Sequence, residues 1–343
     1  MTPHEVLIPF RDGVRAQPDA VLATVARTAG WLTERRPLPR RSGVLLAGIG
    51  ASHAVLAAPV LELRRGGVRA TRSAGDDLPP GAPELADLTV AVSQSGRSPE
   101  TLEAAARASR SIAVVNQPGS PLADAADDLL WLGGLVDSGM SSVAVAATAV
   151  ALGMLVEHRV HGAASEVWSG LPAALHDVLD DAATARTVAA FAGRAAERGC
   201  VDVVGRAASA GAAEQGALLL REGPKVPALG TTTRTYLHGM TDAVGRTAHV
   251  LIGGVREAEL GSQLATYDVP VLLLTDEDVA APAGVATVRL PALPPLAAVV
   301  TEVAVLQMLA LDLGSALGSD VDAGALARVD TKVAPGTTDG ADR

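Results

Sequence analysis

Aromatic residues are scarce in this chain, with 3 Trp, 2 Tyr and 2 Phe among 343 residues. Lysine is scarcer still: of 28 basic residues only Lys225 and Lys332 are lysine, so nearly every positive charge is a permanently protonated guanidinium. A single cysteine, Cys200, excludes a disulfide framework and a thiolate metal cluster. Positive charge is also in deficit, and the net charge is −10. A nucleic-acid binder needs a basic footprint and aromatic platforms for bases, so no nucleic-acid partner is expected. Residues Met1 to Phe10 carry neither a basic leader nor an apolar run, so no secretory signal is expected. The most membrane-like stretch, Val143 to Val156, is fourteen residues of mostly Ala and Val. That falls short of the roughly 20 needed to span a bilayer, so it reads as a buried core helix and no membrane partner is expected. The expected location is the cytoplasm.

What remains is a folded, arginine-rich, acidic chain. Hydrophobic residues make up 48% and charged residues 19%, which excludes a disordered protein. At roughly 150 residues per domain the length suggests two domains.

Two stretches share one logic of apolar run, glycine turn and helix-like segment. Gly43 to Gly48 leads through Gly50-Ala51-Ser52 into Val55 to Leu63, and Val201 to Gly205 leads through Arg206 into Ala212 to Arg221. Short apolar runs alternating with helical patterns predict βαβ units and a parallel sheet. Further strands are predicted at Leu88 to Val92, Ile112 to Val115 and Leu129 to Leu132, then at Ala248 to Ile252, Val269 to Leu274 and Ala286 to Leu290. The halves therefore read as a tandem repeat of one α/β architecture without shared sequence. An N-terminal helix is predicted over Val21 to Leu32 with Asp19 near its N-cap. The expected organisation is a helical segment at 1–35, a first α/β domain at 36–153, a helical linker at 154–190, a second α/β domain at 191–333 and a disordered tail at 334–343.

The first glycine turn, Gly48-Ile49-Gly50, is a poor dinucleotide fingerprint. Its third glycine would fall at His53, and no acidic residue follows at the ribose position. The next predicted strand carries more chemistry. Leu88 to Val92 runs into Ser93-Gln94-Ser95-Gly96-Arg97-Ser98, and Pro99-Glu100 opens a helix. Hydroxyls and backbone N–H groups at a helix N-terminus cradle an anion, although a serine-rich turn also caps a helix with no ligand. Glu222 sits at the end of its predicted helix because Gly223-Pro224 must stop it. There the helix dipole opposes its charge and makes it a better proton acceptor, unless it is a solvated neighbour of Arg221. For His238 the alternative to a site role is an ordinary loop histidine. His158 and His161 share a helix face but lack a ligand set, so no metal site is predicted.

Taken together, Ser93-Gln94-Ser95-Gly96-x-Ser98 after Gly50-Ala51-Ser52 resembles the phosphosugar signature of the sugar isomerase (SIS) domain family. Gly205-Arg206, Gly216-Ala217-Leu218-Leu219-Leu220-Arg221-Glu222, His238-Gly239 and Gly318-Ser319-Asp320-Val321-Asp322 extend the likeness over about residues 15 to 333. The pattern is similar to the isomerase half of glucosamine-6-phosphate synthases. It implies two tandem SIS domains, each a flavodoxin-like three-layer α/β/α unit with a parallel sheet flanked by helices. By resemblance, Ser93, Ser95 and Ser98 hold a sugar 6-phosphate, with the Gln94 backbone and Ser52 in support, while Gly50, Ala51 and Ser141 contact the sugar. Glu222 would carry a proton between C1 and C2. His238 would open the ring, and the family supplies that histidine from the partner of a homodimer. No cofactor is implied.

Departures narrow the reading. No cysteine lies near the N-terminus and the resemblance is to the isomerase half alone, so no ammonia from glutamine is expected. Where the family has a lysine facing the open-chain carbonyl this sequence has Arg328, which can stabilise an oxyanion but cannot form an imine. Lys332 follows four residues later and serves only if that segment folds into the site. Ala51 stands in place of a hydroxyl residue and Gln215 in place of a glutamate. The expected function is isomerisation or deamination of glucosamine 6-phosphate or a related amino sugar phosphate. Elimination of the C3 hydroxyl from an N-acetylhexosamine 6-phosphate and non-catalytic phosphosugar sensing stay open as alternatives.

Overall fold

The computed structural model describes residues 7–34, 43–76, 78, 86–326 and 331–333. The first half runs α1 (Phe10–Thr33), β1 (Val44–Gly48), α2 (Ala51–Ala54), α3 (Ala57–Arg65), β2 (Ala70–Ser73), β3 (Leu88–Val92), α4 (Pro99–Ala106), β4 (Ser111–Val115), α5 (Pro121–Ala125), β5 (Asp128–Trp131) and α6 (Val143–His161). Next come α7 (Val167–Asp180), α8 (Ala182–Ala195), β6 (Val201–Gly205), α9 (Ala210–Glu222), β7 (Ala228–Thr232), α10 (Thr233–Tyr236), β8 (Ala248–Ile252), α11 (Val255–Ala265), β9 (Val271–Thr275), β10 (Ala286–Arg289) and α12 (Pro295–Leu317).

Two parallel five-stranded sheets result, ordered β2-β1-β3-β4-β5 and β7-β6-β8-β9-β10. This is one strand order used twice, the doubly wound order whose switch point lies between its second and third strands. The registers correspond as well: Val44 pairs with Leu88 in the first sheet and Val201 with Ala248 in the second. Strands β1, β3, β4, β6, β8 and β9 are buried along their whole length, as helices on both faces of a parallel sheet require. A single apolar cluster joins Leu46 and Val90 of the first sheet, Val203 and Val250 of the second, and Leu152 and Leu306 of the long helices between.

Helices α6 and α12 are long and apolar enough to cross a membrane, yet 89% and 78% of their apolar windows lie buried inside the fold. They are core helices, as expected for Val143 to Val156, and this placement fits a soluble chain. The close α6–α7 joint shows why Gly153 has no side chain: a Cβ there would lie 2.3 Å from the Trp168 ring, whose Nε1 donates to Glu157 Oε2 at 2.8 Å.

The N-terminal helix differs from its predicted span. It begins at Phe10, runs through Pro18, and does not use Asp19 as a cap. Proline inside a helix removes the hydrogen bond to the carbonyl four residues back. Here that carbonyl, Val14 O, accepts from Gln17 Nε2 at 3.0 Å, and the same amide donates to Gln307 Oε1 at 2.7 Å. At the helix start, Phe10 N–H donates to the Asp322 carboxylate at 2.8 Å. The Ser319–Asp322 motif thus caps the first helix from the far end of the sequence. The expected tail at 334–343 and Arg328 lie outside the described residues.

Candidate active site

A cavity of about 620 Å³ opens at the carboxyl ends of β1 and β3, the switch point of the first sheet. The β1 turn contributes Gly50, Ala51 and Ser52; Gly50 has φ +59°, a backbone state that disfavours any side chain. The β3 turn contributes Ser93, Gln94, Ser95 and Ser98. Ser93 N–H donates to Val114 O at 3.1 Å and Gln94 O accepts from Asn116 N–H at 3.0 Å, so the ladder to β4 anchors the turn. Gly96 then reverses the chain with φ +63°, and a Cβ there would lie 1.9 Å from Ser120 Oγ. Ser98 leaves its helix uncapped and its Oγ sits 3.1 Å from Ser93 Oγ. The hydroxyls thereby converge beside the positive N-terminus of α4, an arrangement suited to a phosphoryl oxygen.

Opposite this turn, Ser141 lines the cavity next to Asp137, a buried residue the sequence reading did not single out. Its carboxylate accepts from Ser141 Oγ at 3.1 Å, Ser142 Oγ at 2.8 Å, and the N–H groups of Ser142, Val143 and Ala144 at 3.0, 2.8 and 3.2 Å. One side chain therefore caps α6 and fixes Ser141, because the first-turn N–H groups of a helix have no partner within it. An acidic residue just ahead of the apolar run at Val143 was the available signal.

Glu222 enters the same cavity from the second half, as the last residue of α9 and half-buried. Lys225, at φ +63°, donates Nζ hydrogen bonds to Glu222 O, Gly223 O and Ala323 O at 2.6, 2.9 and 2.6 Å. An ammonium on these terminal carbonyls satisfies orphan acceptors and offsets the negative helix end. Beyond Ala323 the chain returns to the site: Thr331 and Lys332 line the cavity, and Val333 N–H donates to Arg97 O at 2.9 Å, beside the serine turn. The segment carrying Lys332 is therefore folded into the site. Helix α9 is tied to the first half by Arg72, whose Nη1 and Nη2 bond the two Glu214 carboxylate oxygens at 2.7 and 2.6 Å.

His238 is not gathered with these residues. It lies exposed on the turn after α10, outside the cavity. That turn is held by a buried network. His249 Nδ1 is 3.0 Å from Tyr236 OH, its Nε2 is 3.1 Å from Thr247 Oγ1, and Asp202 Oδ2 is 3.7 Å from Nδ1. Burial pushes the His249 imidazole down to about 4 and raises the Tyr236 phenol and the Asp202 carboxyl.

No family model matches the sequence, and no curated protein sequence matches it. The fold does match solved structures. The C-terminal domain of glucosamine-fructose-6-phosphate aminotransferase from Francisella tularensis superposes with a TM-score of 0.77 at 18% identity, over 91% of this chain and 97% of that one. Glucosamine-6-phosphate deaminase from Thermotoga maritima gives 0.75 at 16% identity, over 92% and 97%. Tagatose-6-phosphate ketose/aldose isomerase from Escherichia coli gives 0.66 at 16% identity, over 91% and 94%. The chain has the SIS fold. Among these SIS-fold structures the shared architecture extends over nearly the whole chain, both sheets included.

Proposed function

We propose that this chain is a phosphosugar-processing enzyme that abstracts the C2 proton of an amino sugar 6-phosphate, acting as an aldose–ketose isomerase and deaminase. The observation that carries the reading is the meeting of Glu222, from the second half, with the serine turn of the first half in one cavity. The hydroxyls of Ser93, Ser95 and Ser98, with Ser52 and the Gln94 backbone, bind the 6-phosphate. Gly50, Ala51 and Ser141 border the sugar. Glu222 takes the proton from C2 as the open-chain C1 carbonyl draws in the electron pair, forming an enolamine. The proton returns to C1, and water hydrolyses the resulting C2 imine to a ketone and ammonia. Lys332 faces the carbonyl with an ammonium or an amine, the role for which Arg328 is unsuited as a nucleophile.

His238 serves ring opening across a homodimer interface in this reading. Its exposure outside its own chain's cavity, beside Leu237 at 40% exposed, supports that assignment. A cytoplasmic location accords with such a substrate. Elimination of the C3 hydroxyl as water shares the same first step and suits an acetylated amine, whereas the amine of Lys332, which lines the cavity, suits isomerisation through the open-chain carbonyl. Product analysis with glucosamine 6-phosphate and its N-acetyl form separates these outcomes. Fructose 6-phosphate and ammonia support the proposal, whereas an unsaturated, ultraviolet-absorbing product, or stabilisation without turnover, contradicts it.

A further inference from the structure

The second half has its own cavity, about 370 Å³, at the carboxyl ends of β6, β9 and β10. It is the counterpart of the first: β6 corresponds to β1, β10 to β5 and α12 to α6 in the repeated strand order. The correspondence extends to the residue borrowed from the other half. Glu222 ends α9 and lines the first cavity; Arg65 ends α3 and lines the second.

The two cavities differ where an anion would sit. The counterpart of the serine turn is Gly253-Gly254, at the start of α11. That helix end is already occupied by two carboxylates of the chain itself: Gly254 N–H donates to Glu257 Oε2 at 3.0 Å and Val255 N–H to Glu277 Oε2 at 3.2 Å. Arg206 is engaged as well, with Nη2 2.6 Å from Glu277 Oε1. The helix N-terminus equivalent to the proposed phosphate cradle is thus taken up in the second half by Glu257 and Glu277, with Arg206 as the counter-ion.

The rest of the second cavity carries polar capacity that the fold does not use. Glu302 is only 6% exposed and borders the cavity; its Oε1 accepts from Ser209 Oγ at 2.8 Å, and its Oε2 has no hydrogen-bond partner among the described residues. A buried oxygen left unpaired is costly, and such groups find a partner in protein, water or ligand. Burial and the nearby Asp276 charge push this carboxyl up to about 7, so near neutrality it offers both a donor and an acceptor. Thr275 and Thr301 also line the wall, their hydroxyls engaged with Glu277 N–H and Ala298 O, and the volume is within the usual range for small-molecule pockets, roughly 300–1,000 Å³.

We infer that the second cavity is a site for an uncharged monosaccharide, held through its hydroxyls by Glu302 and Ser209, with Glu277 occupying the place of a phosphate. The inference does not depend on the proposed chemistry at Glu222.

The test is saturation-transfer NMR and calorimetry on the full chain with glucose, fructose and N-acetylglucosamine, up to about 20 mM, in buffer saturated with inorganic phosphate to occupy the serine turn. At least one sugar is expected to bind, to weaken about tenfold in both Glu302→Leu and Ser209→Ala, and to stay within about threefold in Ser95→Ala. Ser209→Ala removes only one hydroxyl and carries the test should Glu302→Leu not fold. Binding of none of the sugars overturns the inference. So does binding lost in Ser95→Ala but unchanged in Ser209→Ala, which assigns the sugar to the first cavity. Turnover of a sugar phosphate, or its absence, leaves these readouts unaltered.

Discussion

Glu222 and Arg65 occupy reciprocal positions: each ends the helix that leads from the first strand of its sheet towards the edge strand, and each lines the cavity of the other half. A repeat of one strand order is thereby made into two unlike sites, one lined by a carboxylate and serine hydroxyls and the other by a guanidinium and a buried carboxyl. The candidate base and the candidate phosphate cradle come from opposite halves, so their spacing depends on how α9 docks on the first sheet.

That docking is fixed in part by Arg72 and Glu214, joined through two hydrogen bonds and about three-quarters buried. Arg72→Leu removes the bidentate partner of the largely buried Glu214, leaving His53 Nδ1 at 4.0 Å, and should cost roughly 1–3 kcal/mol in chemical denaturation. Because Glu214 lies on the helix that ends in Glu222, turnover should fall more than phosphate affinity. Unchanged turnover with lost affinity would contradict this role for α9.

Glu222→Gln keeps the shape of the side chain but removes the proton acceptor. Turnover should fall about 10²- to 10⁴-fold while phosphosugars still raise Tm, since the serine turn is untouched. Full activity in this variant would sink the proposed mechanism.

Ser95→Ala removes a nearly buried hydroxyl from the turn at Gly96. Hydrogen bonds to charged groups contribute about 1.5–3 kcal/mol, so affinity for a sugar 6-phosphate should drop at least about tenfold. The matching unphosphorylated sugar should show no such loss. Equal losses for both would mean that the turn does not bind the phosphate.

Lys332 is one of two lysines in the chain, and it borders the cavity. If its amine condenses with the open-chain carbonyl, releasing water, borohydride should fix the sugar to it as a secondary amine. Peptide mapping after reduction should find the adduct at Lys332, and Lys332→Met should abolish it along with most turnover. Full activity of Lys332→Met would rule out an imine at Lys332 and leave only oxyanion stabilisation, which a guanidinium such as Arg328 can supply.

The buried imidazole and the buried carboxyl of the second half act in opposite directions with pH. His249 is lowered from 6.5 to about 4, so the unfolded chain binds the extra proton between those values. Its contribution is therefore present above pH 6.5 and lost as pH falls to 4, by up to the order of 3 kcal/mol. Glu302 is raised from 4.5 to about 7, so its contribution is complete below pH 4.5 and lost as pH rises through 7. Denaturation at a series of pH values should show the acid-side loss diminished in His249→Gln, leaving a curve that declines from pH 4.5 to 7. An unaltered acid limb in that variant would contradict the neutral buried histidine.

The central strands were legible because parallel strands covered on both faces read as unbroken apolar runs; β3 and β8 match their predicted spans end to end. Their edge neighbours β2 and β7 were not. Ala-Thr-Arg-Ser spends its one long side chain on Glu214, and β7 contains Gly230, where a Cβ would lie 2.5 Å from Ala213 O of the packed helix. Neither carries a strand pattern, since what fixes each is a partner distant in sequence. The same holds for α1: Pro18 reads as a helix boundary until Gln307, 290 residues away from Gln17, is seen to share the amide that satisfies Val14. At the candidate site the serine turn and Glu222 were readable because turn chemistry and helix stops are local. The cap at Asp137 and the return of Lys332 depend on tertiary contacts instead.

The most direct test of the account is NMR of glucosamine 6-phosphate incubated with the protein in D₂O. Proton abstraction by Glu222 predicts deuterium exchange originating at C2, with fructose 6-phosphate and ammonia accumulating, and loss of both in Glu222→Gln. Intact substrate with no exchange, from a protein that glucosamine 6-phosphate nonetheless stabilises against heat, would contradict it.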